Sequence, residues 1–172
     1  MNGEFIVLRL VHILGGIFWV GSGLFTAFFL VPALAKSGPA AGQIMAALQQ
    51  RRLFTVLPIV ALLTIFSGLR LMWLTSAGFD PVYFAGPVGR TFSMSGGFAI
   101  LAFILSLAVA RPAAVRAASL GASLATAPDE ATRTRLTAQL TGLRRRGAIA
   151  STVVLVLFVL GAAGMAVARY LQ

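Results

Sequence analysis

The stretch LRLVHILGGIFWVGSGLF, residues 8–25, decides the fold class of this chain. It is nearly long enough by itself to cross the hydrocarbon core of a bilayer, which is ~30 Å thick and takes about 20 apolar residues in a helix. Its apolar residues run on without alternating with polar ones, and inside lipid every backbone group has to be paired within the segment. The stretch therefore predicts a membrane-spanning α-helix, although it carries Arg9 and His12, the single histidine of the chain.

Three further apolar runs follow in a chain of 172 residues, of which 59% are hydrophobic and only 10% are charged. Such a composition is typical of a protein embedded in lipid. The predicted spans cover about residues 5–34, 53–76, 90–110 and 147–171. We predict an all-α fold, a four-transmembrane-helix bundle in which residues 1–172 form one integral membrane domain. The absence of cysteine excludes disulfides, thiolate metal sites and iron–sulfur clusters.

Basic residues set the expected orientation, because short loops rich in Lys and Arg stay in the cytoplasm. The connection after the first span carries Lys36, Arg51 and Arg52, and the connection after the third span is richer still. Both connections are therefore expected on the cytoplasmic side, with both termini and the loop 76–90 facing outward. We expect a bacterial cytoplasmic (inner) membrane protein whose termini face the periplasm or the exterior. The net charge of +10 then concerns topology and anionic lipid headgroups, and no nucleic-acid partner is expected.

The segment 111–146 is the one long part of the chain outside the predicted spans, and its composition predicts a basic, amphipathic cytoplasmic helix. Thr126 is a suitable helix cap, and Pro128 suits a first helical turn. Asp129 and Glu130 follow at positions where acidic residues favour a helix start, and arginines accumulate towards the end. We expect the segment to lie on the membrane surface and to run into the fourth span.

His12 is the residue of the first span that a purely structural role explains least well. An ionisable group inside a membrane is costly, and it marks a functional site by default. At about 100° per residue, the helix face of His12 also holds Arg9, Gly15, Gly16, Trp19 and Gly23. Glycines on such a face commonly allow close packing of helices. The face therefore combines a ligand-forming side chain with a flat surface suited to a planar molecule or a neighbouring helix.

Residues of the other spans fall near the depth of His12 when positions are counted from the outer ends. They include three methionines, Met72, Met94 and Met165. One arginine also stands near the outer end of each span: Arg9, Arg70, Arg90 and Arg169. Arg70 and Met72 point to nearly opposite sides of their helix, so we expect Arg70, which shares its face with Ser67 and Trp73, to face inward. Methionines also fill cores, and arginines at helix ends also reach for headgroups.

A neutral imidazole and thioethers suit Cu(I) or haem iron. Flat glycine faces, tryptophans for stacking and arginines that can pair with propionates favour a porphyrin over a bare ion. The candidate cofactor-binding residues are His12, Arg9, Gly16, Trp19, Arg70, Trp73, Arg90, Met94, Met165 and Arg169. The candidate metal ligands are His12, Met94 and Met165. With one histidine in the chain, haem ligation is either through His12 alone or through His12 and a methionine.

Two stretches invite a family comparison: LVHILGGIFWVGSGLF, residues 10–25, and RRLFTVLPIVALLTIFSGLRLMW, residues 51–73. Together they resemble the first two helices of the CopD-like four-helix membrane superfamily. That group includes copper-resistance membrane domains, HemJ-type protoporphyrinogen oxidases and related uncharacterised bacterial families. The resemblance covers about residues 5–75. It implies a membrane bundle that handles copper or a porphyrin, with His12 as the position carried over.

The chain departs from the HemJ-type pattern, in which the histidine of the first helix is paired with a lysine in the third. The single lysine here, Lys36, lies in the first cytoplasmic loop. None of the four acidic residues lies deep within a predicted span, so general acid–base chemistry would rest on His12 alone. We therefore expect a non-enzyme, or else a membrane oxidoreductase.

Three functions stay open on these residues. The first is binding of haem b or another porphyrin in the outer half of the bundle, for electron transfer or ligand handling. The second is copper handling through a His/Met site. The third is a non-catalytic assembly subunit or homo-oligomer without a cofactor, whose glycine faces pack against helices of its own copies or of a partner membrane subunit.

Overall fold

The computed structural model describes residues 3–38 and 40–171, and every regular element in these ranges is helical. α1 covers Gly3–Lys36 and includes a π-helical turn at Thr26–Leu30. α2 (Ala40–Gln50), α3 (Leu53–Thr75) and α4 (Pro81–Ala85) follow. α5 consists of Pro87–Leu105, a π-helical turn at Ser106–Ala110 and Arg111–Ala125. α6 covers Glu130–Val167 and ends in a 3₁₀ turn, Ala168–Tyr170. The prediction of an all-α fold is confirmed for the described residues.

Four of the described helices, α1, α3, α5 and α6, are long and apolar enough to cross a membrane. Large apolar side chains on them point away from the protein: Leu14, Ile17, Phe29 and Phe66 are 63–66% exposed. In water such surface would be costly, at roughly 25 cal/mol per Å². Lipid solvates it instead, and the four helices confirm the predicted membrane-embedded protein.

The segment 111–146 is helical apart from residues 126–129, so that Pro128 precedes α6 instead of lying in its first turn, and the segment is divided between two spanning helices. Its first half continues α5 to Ala125, and its second half is the beginning of α6. The cap of α6 is Asp129 instead of the expected Thr126. The Asp129 carboxylate accepts a 2.7 Å hydrogen bond from the backbone N–H of Thr132, at the third helical position.

Each π-helical turn stands directly before a proline near the start of the next α-helical segment. The N–H of Val31 donates to the carbonyl of Thr26, and the N–H of Arg111 donates to that of Ser106, five residues back in each case. Pro32 and Pro112 follow immediately. Because proline has no N–H and its ring crowds the carbonyl four residues back, the wider turn accommodates it without ending the helix.

The chain divides into two compact units. The first unit comprises residues up to Ile100 and from Phe158 onwards, and the second is Leu101–Leu157. In the first unit α1 and α3 are antiparallel, since contacts link Glu4 to Arg70 near one end and Gly15 to Val60 further along. The first half of α5 packs there on the last part of α6, where Ser95 and Thr91 lie against Gly164.

The second unit contains the end of α5 and the start of α6 as an antiparallel hairpin. Gly147 of α6 faces Ala113 of α5, and a Cβ atom on Gly147 would lie 3.6 Å from that of Ala113. Leu140, Ala150 and Val154 are buried along the same helix. Whether the two units act as the single domain expected from the sequence stays a prediction.

Candidate functional site

His12 lies on α1 against α3, where its imidazole bonds to the backbone of the neighbouring helix. The Nδ1 atom is 2.8 Å from the carbonyl oxygen of Thr64. A carbonyl only accepts hydrogen bonds, so Nδ1 carries the proton and donates it. For a neutral imidazole this bond selects the Nδ1–H tautomer, in which Nε2 has an unprotonated lone pair. This arrangement gives His12 one positioned nitrogen base.

Two hydroxyl groups of α3 surround this bond, and both donate to carbonyls of their own helix. Thr64 Oγ1 donates to the carbonyl of Val60 at 2.8 Å. Ser67 Oγ lies 2.6 Å from the carbonyl of Leu63 and 3.1 Å from that of Thr64. Thr64 and Ser67 are buried, 6% and 5% exposed. Since these hydroxyls are already engaged as donors, the imidazole interacts with the backbone of α3, in surroundings where low dielectric strengthens a hydrogen bond.

Glycines bring the two helices close enough for this contact. A Cβ atom on Gly68 would lie 2.6 Å from Cε1 of His12, so the ring occupies space that any side chain at position 68 would need. A Cβ atom on Gly15 would lie 2.5 Å from Oγ1 of Thr64. The adjacent Gly16, which the sequence predicted as a binding residue, is less critical, because a Cβ atom placed on it would make an ordinary 3.7 Å contact with Thr64.

Trp19, one of the two predicted stacking residues, is a packing residue between α1 and α6. Its ring is 7% exposed and meets that of Phe158 edge-on, with centroids 5.1 Å apart. Gly23 lies under the same phenylalanine, and a Cβ atom there would stand 2.6 Å from the Phe158 ring. Trp19 thus contributes an apolar wall on the side of α1 where His12 also stands.

Trp73, the second predicted stacking residue, lies near the end of α3 and is 45% exposed. It contacts Phe79 in a T-shaped arrangement with ring centroids 5.2 Å apart, and Gly78 lies beside its six-membered ring. Nearly half of the Trp73 surface is therefore accessible to another molecule.

Of the four predicted arginines, Arg70 and Arg169 bond to another side chain, and Arg9 and Arg90 are described by their exposure. Arg70 Nε is 2.8 Å from the Glu4 carboxylate, and this ion pair joins the end of α3 to the start of α1. Arg169 donates to the hydroxyl of Tyr170 at 2.6 Å, with its guanidinium 4.8 Å from the ring centroid. Arg9 and Arg90 are exposed. Arg70 is thus engaged with a carboxylate, whereas Arg9 and Arg90 have exposed cationic groups.

The predicted methionine ligands differ in their surroundings. Met94 is 61% exposed, whereas its neighbour Ser95, 2% exposed, is one of the residues of α5 that face α6. Met165 is half-buried on α6. Among the described residues there is no group of three or more His, Cys, Asp or Glu side chains that could hold a metal ion. A shared site of His12 with Met94 and Met165 stays a prediction.

Sequence reasoning did not identify Thr64 or Gly68 as partners of His12. A backbone carbonyl acceptor leaves no mark in a sequence, because every residue has one. The small and polar residues at Thr64, Ser67 and Gly68 are three and four positions apart, a spacing that puts them on one face of α3. That spacing is the signal that could have located the helix surface facing His12.

Comparison of the chain with protein families, curated proteins and solved structures gives no match. The likeness to CopD-like membrane proteins stays a prediction, and the function has to be inferred from the geometry of the His12 site.

Proposed function

We propose that this membrane protein binds haem, or another metalloporphyrin, and that Nε2 of His12 would ligate its metal. The observation that carries the proposal is the 2.8 Å hydrogen bond from His12 Nδ1 to the carbonyl of Thr64. Histidines that ligate metals commonly donate their other ring N–H to a carbonyl or carboxylate, which fixes the tautomer and increases the basicity of the ligating nitrogen. Haem would supply one-electron chemistry or binding of a small ligand.

The other residues fit such a group in part. Trp73, 45% exposed, would contact an aromatic macrocycle. Arg9, Arg90 and Arg169 would pair with propionates, because guanidinium groups bind carboxylates in a bidentate geometry. Trp19 would serve as apolar packing instead of a stacking surface, and Arg70 is already bound to Glu4. Met94 and Met165 would be the candidates for a second ligand.

The protein itself would contribute orientation and protection. Thr64 holds the proton of His12 at Nδ1, and Gly68 provides the space in which the ring is held. Apolar helices around the site would lower the local dielectric, which is one of the means by which proteins adjust the potential of a haem. The hydroxyl of Ser67, 2.6 Å from the carbonyl of Leu63 and 3.1 Å from that of Thr64, would share the Thr64 carbonyl with His12.

We further propose an orientation with both termini outside and the α5–α6 hairpin in the cytoplasm. The support is the positive-inside distribution of Lys and Arg, which is richest between Arg111 and Arg146. We propose the bacterial inner membrane as the membrane that holds the protein. In that orientation, His12 stands in the half of the membrane nearer the exterior.

The test is the visible spectrum of the protein purified in mild detergent from haem-sufficient cells, oxidised and after reduction with dithionite. We expect a Soret band that shifts on reduction, with about one haem per chain by pyridine haemochrome assay. His12→Ala should lose it, and imidazole in the buffer should restore part of it by replacing the missing ligand. Ser22→Ala, a polar-to-apolar change on the same helix, is the matched control and should keep the band.

A featureless spectrum from haem-supplemented protein would overturn the haem proposal. Copper that co-purifies near one equivalent and is lost in His12→Ala would then favour a copper-handling protein, since an imidazole nitrogen also suits that metal. If neither ligand binds, His12 is a hydrogen-bonded polar contact between α1 and α3, and the protein is a non-catalytic bundle.

A further inference from the structure

The second unit contains a groove between the two helices of the α5–α6 hairpin, remote in sequence from His12. It has a volume of about 650 Å³. α5 lines it with Val115, Arg116, Ser119 and Leu120, and α6 with Ala138, Gln139, Gly142, Leu143 and Arg146. Within each set the residues are adjacent or three to four positions apart, which places them on one face of their helix, so the groove runs along both helices.

The lining combines three kinds of residue. Small side chains at Ser119, Ala138 and Gly142 leave the space open, and a Cβ atom on Gly142 would meet no atom within 4 Å. Apolar side chains come from both helices, as do cations, with Arg116 on α5 and Arg146 on α6. Cations on both sides of a partly apolar groove suit a ligand with an anionic part and an apolar part.

The two arginines are not neutralised within the part of the chain that the structure describes. The only acidic residues of this unit are Asp129 and Glu130. Asp129 accepts hydrogen bonds from Thr132, and Glu130 lies 3.9 Å from Arg133. Arg116 and Arg146 therefore keep a positive potential that an anion in the groove would neutralise.

The position of Arg146 in the sequence indicates where that anion comes from. It stands directly before the apolar stretch that starts at Gly147, and Arg111 occupies the matching place at the end of the apolar part of α5. Arg116 is five residues further along α5, which is about 8 Å of helix. Both groove arginines are thus at the level of lipid headgroups, where basic pockets between membrane helices bind phosphate groups.

We propose that this groove is a binding site for an anionic phospholipid. Arg116 and Arg146 bind the phosphate, with Ser119 and Gln139 as further hydrogen-bonding groups, because guanidinium groups match the oxygens of a phosphate. Val115, on the membrane side of Arg116, contacts the glycerol and the first part of the acyl chains, whereas Leu120 and Leu143, farther from the apolar stretches, line the part of the groove that receives the headgroup. The site is independent of haem at His12.

The experiment measures retention of phosphatidylglycerol against phosphatidylcholine on the whole protein in detergent, by native mass spectrometry. Wild-type protein should prefer phosphatidylglycerol. Arg116→Gln with Arg146→Gln should reduce that preference by at least about tenfold, since each arginine near an anionic surface contributes measurably to binding. The matched control is Arg144→Gln with Arg145→Gln, which removes the same charge from residues outside the groove lining and should change the preference less than about twofold.

A second pair of variants tests the groove by its shape, without a change in charge. Gly142→Leu fills open space and should weaken phosphatidylglycerol binding as strongly as the arginine pair. Gly121→Leu, at a glycine of α5 that also meets no atom within 4 Å and lies outside the groove lining, should have no effect. Circular dichroism and thermal unfolding of all variants verify that the helices persist.

Equal losses in the groove and control arginine pairs would overturn the proposal, because they indicate diffuse attraction to basic surface. Unchanged binding in Gly142→Leu would overturn it as well. Inorganic phosphate that displaces the lipid at low millimolar concentration, and binds lipid-free protein equally well, would point to a soluble phosphate ligand and reject the lipid.

Discussion

Gly68 of α3 lies so close to His12 of α1 that a Cβ atom at position 68 would stand 2.6 Å from Cε1 of the imidazole. The same ring donates to the carbonyl of Thr64, one turn earlier on α3. The position of His12 is therefore defined by two features of a neighbouring helix, an open space and an acceptor. Neither the open space nor the acceptor can be inferred from the sequence of α1 alone.

The first prediction is that Gly68→Ala displaces His12 and breaks its bond to Thr64. Overpacking costs about 1–3 kcal/mol, and it acts against the gain of roughly 1 kcal/mol that alanine brings to a helix. We expect a net loss of stability in detergent and, where haem is bound, a shifted Soret band. Gly97→Ala is the control, because a Cβ atom there meets nothing within 4 Å. Equal stability of the two variants would contradict the contact.

The second prediction concerns Gly164 of α6 and Ser95 of α5, where a Cβ atom on the glycine would overlap the serine hydroxyl. Gly164→Ala should lower the free energy of unfolding by about 1–3 kcal/mol. Ser95→Ala removes the overlapping atom, so the double variant should lose less than the sum of the single changes. Strict additivity in this cycle would show that the two residues are not packed together.

A third prediction addresses the ion pair of Glu4 and Arg70. Both side chains are 39–47% exposed, and such pairs contribute about 0–1 kcal/mol. Arg70→Gln should therefore change thermal stability little, and the small change should shrink further in high salt. A loss as large as that of Gly68→Ala would mean that Arg70 has a role beyond this pair, such as contact with an anionic ligand.

The fourth prediction concerns pH and the start of α6. A hydrogen bond from the Thr132 backbone N–H lowers the pKa of Asp129, and the Thr132 hydroxyl and the charge of Arg135 act in the same direction. Because the folded-state pKa is below the unfolded one, this cap stabilises fully above the unfolded pKa and is lost as pH falls through the folded value. Hydrogen exchange at Thr132 should accelerate several-fold in Asp129→Ala at neutral pH. In the wild type, corrected for intrinsic exchange, the same acceleration should appear only in acid.

Hydropathy predicted the number of spanning helices and, for α3, both ends to within one residue, since lipid selects long apolar runs. The sequence also predicted that the segment before the fourth apolar run is helical and continues into it, as in α6, but not that α5 continues past its own apolar run to Ala125. Residues 111–125 and 130–146 are rich in Ala, Leu and Arg, which favour helix in water as well as in lipid. The end of an apolar run marks the limit of the hydrocarbon, whereas a helix ends where capping and turn residues stop it.

The candidate site was predictable only in part, because the sequence does not show how each helix is rotated about its axis or which residues of other helices it contacts. His12 could be singled out because an ionisable side chain in an apolar run is costly. Which residue of α5 faces α6 could not be read from depth, and the structure places Ser95 there and leaves Met94 exposed. Likewise Trp19 offers a ring for stacking in the sequence, but Phe158, far along the chain, already covers it.

The π-helical turns before Pro32 and Pro112 have a consequence for how these helices can change. Each wide turn acts as one extra residue, so residues beyond it are rotated by about 100° from their place on an uninterrupted α-helix. A helical wheel drawn through Ser106–Ala110 therefore assigns the wrong face to Arg116. Deletion of one residue within that turn would remove the extra residue and leave Arg116 on its present face, whereas deletion of one residue between Arg111 and Arg116 would rotate Arg116 by about 100°, out of the groove, with the arginine itself unaltered. The number of residues in each of these helices therefore sets the direction of the side chains beyond the turn, which point substitutions do not change.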